Sequence, residues 1–513
     1  PITHLLKRPA AQVGEAGAAR HRHLPLPQAL YGASRLNSQG VEFGHEASLQ
    51  ALQQQLAKGA AQGPFKAASL LDGVVQAGTV RTLFSPQNNT QSVGDVSEAD
   101  PHLAVKAMAA AHQGYQAWQA VPVNERASVL RQAANLLEAQ SGLFLHLLQQ
   151  EAGKTLDDAV AELREAVDFC RYYASEAERL MGASQPLPGP TGEANQLRLR
   201  PRGVFVAISP WNFPLAIFIG QIAAALVAGN SVVAKPAEQT PLIAYEAVKL
   251  LHQAGVLPQA LQLVLGDGQI GAALIAHPRV AGVVFTGSTQ TAQAINRALA
   301  ARSGPIVPLI AETGGINVML VDATALSEQV CDDVVLSAFR SAGQRCSALR
   351  LLCVQEEVAD GMIRMIQGAV ETLHLGDPAD ITTHIGPVID REAQQKLEQQ
   401  IAALKQRGRL VWAGQAPQQG TFVAPHLFEI ASIADANEEL FGPVLQIYRY
   451  KAQGFETLLD QIDDMGYGLT LGVHSRIDGV VEQVTRRLSV GNCYINRNMI
   501  GAVVGTQPFG GTG

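Results

Sequence analysis

The 513-residue chain has few cysteines: Cys170, Cys331, Cys346, Cys353 and Cys493. Their number is odd and no C-x-x-C or His/Cys ligand spacing occurs, so neither a disulfide framework nor a zinc site is expected. Scattered thiols of this kind fit a reducing, cytoplasmic setting. Basic charge is not in excess either. The formal net charge is −7, and no basic stripe interleaves with aromatics, so nothing points to nucleic acid and the substrate should be small. His21 and His23, beside Arg20 and Arg22, suit a solvated surface better than a metal pair. Long apolar runs are missing: Phe213 to Gly229 comes nearest, but it holds Pro214 and Gln221 and falls short of the roughly 20 apolar residues that a spanning helix needs. A buried helix is expected there. Pro1 to Leu24 lacks a cationic segment followed by an apolar one, so no secretory signal is expected. A chain that opens on proline without methionine is expected to be a piece of something longer.

What is present is a large apolar fraction, 47% of residues, enough for more than one domain. Residues 1–75 mix short pieces, with Leu24–Pro27 extended and a short helix over Ser48–Ala57. Long helices are predicted at about 101–118, from Asn124 as a cap, and at about 155–180. In the second of these, Ala127, Leu130, Ala134 and Leu137 share one face. The Pro/Gly-rich Pro186–Thr191 followed by alternating Gln196–Arg200 predicts a hairpin whose polar face suits pairing with another subunit. From Gly203 strands and helices alternate, with apolar strands at 203–209, 231–235, 261–265, 281–286 and 306–311, and a second series at about 317, 349–355, 445–450, 470–474 and 492–496. Apolar strands of this kind are parallel and covered on both faces. The fold class is α/β, a doubly wound domain plus a second α/β domain, with ligands beyond the carboxyl ends of the strands.

The stretch Ser341–Ala348 lies between a predicted helix and a predicted buried strand. Five of its eight residues are small, which lets the backbone turn sharply and a ligand come close. Cys346 is either a small buried hydrophobe or a nucleophile; Arg345 beside it favours the thiolate. Five places in the chain could serve it. Gly266–Gly271 matches G-x-G-x-x-G, a weak signal when alone. Thr286-Gly287-Ser288 ends a strand and opens a helix, either an ordinary cap or a phosphate seat. Asn212, between two aromatics, could cap a helix or stabilise an oxyanion. Lys235 and Glu238 are either a surface pair or ribose ligands. Glu312, at the end of an apolar strand beside Gly314-Gly315, is a carboxylate rarely buried without reason.

Taken together, Pro210–Pro214, Lys235–Glu238, Phe285–Thr289, Glu312–Gly315, Gly343–Cys346, Glu439–Pro443 and Pro508–Gly511 resemble, in order, the motifs of the aldehyde dehydrogenase superfamily from about Asp100 to Phe509. Leu187–Glu193, Phe339–Arg350 and Ile495–Asn498 are similar to the L-glutamate γ-semialdehyde dehydrogenase part of bifunctional proline-catabolic enzymes, which carry a proline dehydrogenase domain upstream. Ile316 departs from the pattern, at a place where a polar residue is common, and is expected to alter polarity on the cofactor side. The end at Gly510–Gly513 is shorter than the family's tail.

The resemblance implies an N-terminal connecting arm at 1–75, an NAD-binding domain of Rossmann type at 76–311 with an oligomerisation hairpin at 184–202, a catalytic domain at 312–490, and a C-terminal strand and substrate-anchor loop at 491–513. It implies a homodimer or larger assembly. Cys346 would be the nucleophile, Asn212 the oxyanion donor and Glu312 the base. Cofactor contacts would fall on Ile208, Ser209, Trp211, Lys235, Glu238, Gly268, Thr286, Gly287, Ser288, Glu439 and Phe441, with Glu238 favouring NAD over NADP. Phe213 and Phe509 would hold the aliphatic part of the substrate, Ser347, Gly501 and Ala502 its carboxylate, Glu162 its amino group, and Arg345 would join them. The implied reaction is NAD-dependent oxidation of L-glutamate γ-semialdehyde, formed from 1-pyrroline-5-carboxylate, to L-glutamate. The alternatives are another small semialdehyde, a coenzyme A-acylating reaction, or a catalytically silent scaffold.

Overall fold

A computed structural model describes residues 23–512, together with Ile2, Leu6 and Arg8; Arg20, His21, Arg22 and Gly513 lie outside them. Two seven-stranded sheets dominate. The first runs in the order Leu309–Thr313, Val280–Gly287, Val204–Ile208, Ser231–Lys235, Leu261–Leu263, Leu70–Leu71, Val74–Val75. Its first five strands are parallel, and the two short ones join antiparallel. Val206, Val232, Val233, Ala234 and Val283 are fully buried, because helices cover both faces as parallel sheets require. In chain order the parallel strands read fifth, fourth, first, second, third. The order therefore reverses between Val204–Ile208 and Val280–Gly287, and a crevice opens beyond the carboxyl ends of those two strands.

The second sheet runs Arg409–Ala413, His426–Ile430, Val444–Tyr450, Leu349–Gln355, Asn317–Val321, Thr470–His474, Asn492–Ile495. Only its first pair is antiparallel. Leu351, Leu352, Cys353 and Val354 are buried to the last atom, so this part of the strand is apolar without alternation, and the charged Arg350 beside it is buried as well. The chain crosses from one sheet to the other through Thr313-Gly314-Gly315, placing Glu312 at the junction. Both glycines are steric necessities. A Cβ on Gly314 would come within 2.3 Å of Glu439 Oε2, and one on Gly315 within 2.9 Å of the Tyr467 ring.

Several expectations need adjusting. The helix expected to start from a cap at Asn124 spans Val123–Ala139, with Pro122 in the cap position. A further helix, Ser141–Ala152, is buried over nearly its whole surface, so it carries no amphipathic period by which a sequence could announce it. The segment before residue 76 is built into the fold. Its helix Glu46–Ala60 packs on Ser141–Ala152 so closely that a Cβ on Gly142 would sit 1.9 Å from the Gln55 carbonyl oxygen, and Leu70 pairs with Leu263. A three-stranded sheet of Phe65–Ala68, Asn88–Glu98 and Thr79–Ser85 adjoins it. The predicted hairpin forms from Gln185–Leu187 and Asn195–Leu197, and Leu187, Leu197 and Leu199 are exposed. Among the described residues no helix is long and apolar enough to cross a membrane, and no cluster of three or more metal-ligating side chains occurs.

Candidate active site

A cavity of about 500 Å³ lies where the strand order of the first sheet reverses. The first sheet supplies Pro210, Trp211 and Asn212 beyond one strand, Thr286, Gly287 and Ser288 beyond its neighbour, and Glu238 beyond the next. Thr313 and Gly314 form the crossing, and Cys346, Glu439 and Phe441 close the cavity from the second sheet. Trp211 meets Phe441 edge to face, with centroids 5.5 Å apart, a favoured aromatic geometry that ties the two halves together.

Cys346 follows the helix Ser327–Phe339 and a short 3₁₀ turn, Arg340–Gly343. Three consecutive residues of that turn, Ser341, Ala342 and Gly343, are left-handed, with φ of 56°, 53° and 68°. Two of them carry a Cβ, at a cost of about 1–2 kcal/mol each; such strain persists only where surroundings over-determine it. At Gly343 glycine is required twice over, because a Cβ there would lie 2.1 Å from the Gly442 carbonyl oxygen. Past the turn, Asn317 Nδ2 donates to the carbonyls of Cys346 (2.6 Å) and Ala348 (2.9 Å). Asn212, nearly fully buried, donates from Nδ2 to the Gln344 carbonyl at 3.1 Å. Its amide therefore stands against the Cys346 turn with a second N–H still to place.

The electrostatics of Cys346 correct the sequence reading. Its thiol is pushed up to about 12, first by burial of the sulfur, then by the carboxylates of Glu439 and Glu312; Arg345 acts the other way and is outweighed. The residue keeps partial exposure and lines the cavity, so a small reagent can reach a thiol that is desolvated by its packing. Arg345 does not enter the cavity. Its Nη2 pairs with Asp158 at 2.8 Å, its Nε donates to Ser341 Oγ at 2.9 Å, and its guanidinium lies 5.1 Å from the Phe213 ring centroid. It is committed to protein partners and so is corrected as a direct substrate ligand. Burial raises the carboxyl of Glu312, and burial likewise raises Glu439, against the opposing pull of Arg350 and the Gly315 N–H. The Gly315 N–H reaches Glu439 Oε1 at 3.3 Å.

Other expected residues divide. Lys235 is buried, donates to the Pro236 carbonyl at 3.1 Å and stands 3.8 Å from Glu238, which is half-exposed at the cavity rim. Ser288 caps the helix Thr289–Ala300. Ile208 ends its strand, and Ser209 donates to Gln221, which in turn donates to Thr286. Gly268 is exposed, outside the cavity, at the start of a helix capped by Asp267. Ile316 is buried in the core around the second sheet, so its departure from the family pattern is one of packing and not of cofactor-side polarity. Glu162 is the clearest correction. Its Oε1 accepts from the backbone N–H groups of Leu215 and Ala216 at 2.8 and 3.2 Å, at the start of the helix Ala216–Val227, while Oε2 lies 2.6 Å from Lys154 Nζ. It is a buried helix-capping carboxylate without a free face for a substrate amine. Phe213 lies under Lys154, 3.9 Å from its ring centroid, and Phe509 borders a separate shallow recess with Val490 and Gly491; neither lines the large cavity. Ser347 is buried. Gly501 is left-handed, and its carbonyl accepts from Tyr494; Ala502 follows it in the same loop.

Sequence reading missed the helix Arg391–Arg407, which contributes Glu392, Lys396 and Gln400 to the cavity, with its cap Asp390 alongside. The Asp-x-x-Ala start was a usable cap signal. It also missed Glu165, whose carboxyl is pushed up to about 7 by burial and by Glu162, and which acts on Cys346 in turn.

A model described as the aldehyde dehydrogenase family matches residues 75–513. The chain belongs to the aldehyde dehydrogenase family. It is 47% identical over 525 residues to the bifunctional protein PutA of Escherichia coli K12, covering 100% of this chain and 39% of that relative. It is 38% identical over 438 residues to the 1-pyrroline-5-carboxylate dehydrogenase of Geobacillus sp. WCH70, covering 83% and 84%. A crystal structure of bifunctional proline utilization A superposes with a TM-score of 0.89 at 56% identity, covering 100% of this chain and 49% of that one. A Thermus 1-pyrroline-5-carboxylate dehydrogenase with bound NAD gives 0.88 at 32% identity, covering 93% of both. This aldehyde dehydrogenase thus spans half or less of the bifunctional relatives and most of the single-function ones.

Proposed function

We propose that this aldehyde dehydrogenase oxidises L-glutamate γ-semialdehyde to L-glutamate with NAD⁺, as a step of proline catabolism. The observation that carries the reading is that Cys346 and Asn212, from separate segments, line the crevice at the strand-order reversal, with Glu312 at the crossing beside it, near enough for its charge to act on the Cys346 sulfur. The residues lining that crevice fit a dinucleotide. A helix start capped by Ser288 offers N–H groups to a pyrophosphate, Glu238 offers a carboxylate to ribose hydroxyls, and that carboxylate would repel a 2′-phosphate. Bound there, NAD⁺ would supply the hydride acceptor.

The chain's own residues do the rest. Cys346 gives its proton to water and its sulfur bonds to the aldehyde carbon, while the carbonyl oxygen takes the negative charge and receives the second N–H of Asn212. Once hydride has left that carbon, a thioester remains on Cys346. Glu312, its carboxyl raised by burial, takes a proton from water as the water oxygen attacks the thioester; the C–S bond breaks, and acid and thiol are released. A hydrolytic base favours an acid product over acyl transfer to coenzyme A. In this reading residues 76–311 bind the nucleotide, 312–490 carry the thiol, 491–513 hold the substrate's far end, and the 184–202 hairpin pairs with another subunit. The parent protein carries a proline dehydrogenase domain upstream.

NADH formation at 340 nm is the test, with the semialdehyde set against uncharged and carboxylated aldehydes of similar length and Cys346→Ala as control. Preference for the semialdehyde and a silent control are expected. A preference for another aldehyde would overturn the substrate, and an active control would overturn the nucleophile.

A further inference from the structure

Asp158 has no part in the chemistry proposed above, yet it is among the most tightly held groups in the molecule. It sits in the first turn of the helix Leu156–Met181, 1% exposed, with three hydrogen bonds from the segment that ends in Cys346. Arg340 Nε donates at 2.6 Å, Arg345 Nη2 at 2.8 Å and Ser341 Oγ at 2.9 Å. Arg340 and Arg345 flank the left-handed run Ser341-Ala342-Gly343, and Ser341 opens it. The helix belongs to the core around the first sheet and the turn to the core around the second, so the carboxylate joins the two halves at the point where the strained backbone would relax if released. Burial alone would raise this carboxyl, but Arg345, Arg340 and Lys154 hold it far below the usual carboxylate range, and it remains a fixed negative charge.

We propose that Asp158 is a positioning residue for Cys346, clamping the strained turn from across the two halves and neutralising Arg345 so that the guanidinium cannot act fully on the sulfur. This rests on Cys346 being the nucleophile. The charged groups acting on that sulfur are Glu439, Glu312 and Glu165 on one side of the balance and Arg345 and Arg350 on the other. With Asp158 ionised, the carboxylates prevail. Without it, an unpaired guanidinium one residue from the sulfur should pull the thiol toward the thiolate.

The experiment follows alkylation of Cys346 by iodoacetamide against pH, reading the modified Cys346 peptide by mass spectrometry. This reports on the sulfur itself, whatever aldehyde the enzyme prefers, so failure of the substrate assignment leaves the result intact. Asp158→Asn should move the alkylation midpoint down by at least about one pH unit and lower kcat on every aldehyde. Asp158→Glu, which keeps the charge, should restore the midpoint. Adding Arg345→Gln to Asp158→Asn should reverse the shift, separating charge from mere loosening. Ser341→Ala, a milder change that cuts one contact and no charge, should lower kcat and leave the midpoint alone. An unmoved or raised midpoint in Asp158→Asn, or a shift that survives in the double variant, overturns the electrostatic half. Full-speed Ser341→Ala overturns the clamp.

Discussion

Replacing Glu312 by Gln should produce two effects of opposite sign, because the structure gives this carboxylate two neighbours. It ends the edge strand Leu309–Thr313, half-buried, with Oε1 3.3 Å from where a Cβ on Gly510 would sit. The amide is nearly isosteric, so packing against the Pro508–Gly511 segment survives. As a base it is gone. General-base catalysis contributes about 10²–10⁴-fold, so steady-state turnover should fall by about that much while the first hydride transfer proceeds. Rapid quench should therefore show a burst of about one NADH per site followed by a stall at the thioester. The second effect falls on the thiol. Glu312 ranks after burial and Glu439 among the causes that raise Cys346, and removing its charge lowers the thiol toward its ordinary value. With the parent thiol at about 12, about one sulfur in a thousand is thiolate at about pH 9, and each unit of lowering raises that fraction about tenfold. Alkylation of the variant should thus be faster than of the parent at equal pH. The acid limb of the parent's kcat profile reports a base raised above its usual range and should vanish in the variant. Unchanged turnover would remove Glu312 from hydrolysis, and unchanged alkylation would show that the two groups do not interact.

Ser347→Ala tests the substrate's far end: losing a hydrogen bond to a charged group costs about 1.5–3 kcal/mol, so kcat/KM on the semialdehyde should fall by about one to two orders of magnitude, with much less change on an uncharged aldehyde of like length. Equal losses on both would mean that this buried serine supports the Cys346 turn and does not read a carboxylate. The hairpin of Gln185–Leu187 and Asn195–Leu197, with Leu187, Leu197 and Leu199 exposed, should pair with a second copy and give at least a dimer by light scattering at micromolar concentration; a monomeric mass would count against it.

What sequence could reveal and what it could not follow from the range of the interactions. Five strands of each sheet were legible because burial on two faces leaves an unbroken apolar run, as in Leu351–Val354, whereas Leu70–Leu71, Val74–Val75, Arg409–Ala413 and His426–Ile430 were not read. Glu312 drew attention as a carboxylate after an apolar stretch; in the fold it lies within the edge strand Leu309–Thr313, whose Ile310 and Ala311 are exposed. The helix Ser141–Ala152 was hidden by the same burial, which on a helix erases the period. Glu162 was misread because the backbone N–H groups it caps lie more than 50 positions along the chain, at Leu215 and Ala216, and a glutamate on a helix looks the same whether it caps another helix or faces a ligand.

Arg345 shows the limit most sharply. Adjacent in sequence to Cys346, it suggested a thiolate, and a neighbouring cation does favour one. In the fold its partner is Asp158, 187 residues away, and the balance at the sulfur is set by desolvation together with Glu439 and Glu312, brought in from other strands and loops. A charge beside a nucleophile in the chain fixes only that the charge is near. Its effect depends on which opposite charge reaches it first and on how much water the packing leaves at the nucleophile, and both are properties of the assembled cleft. In the chemistry proposed above, a thiol raised in this way by burial and by Glu439 and Glu312 has to give up its proton within the catalytic cycle, before its sulfur can bond to the aldehyde carbon.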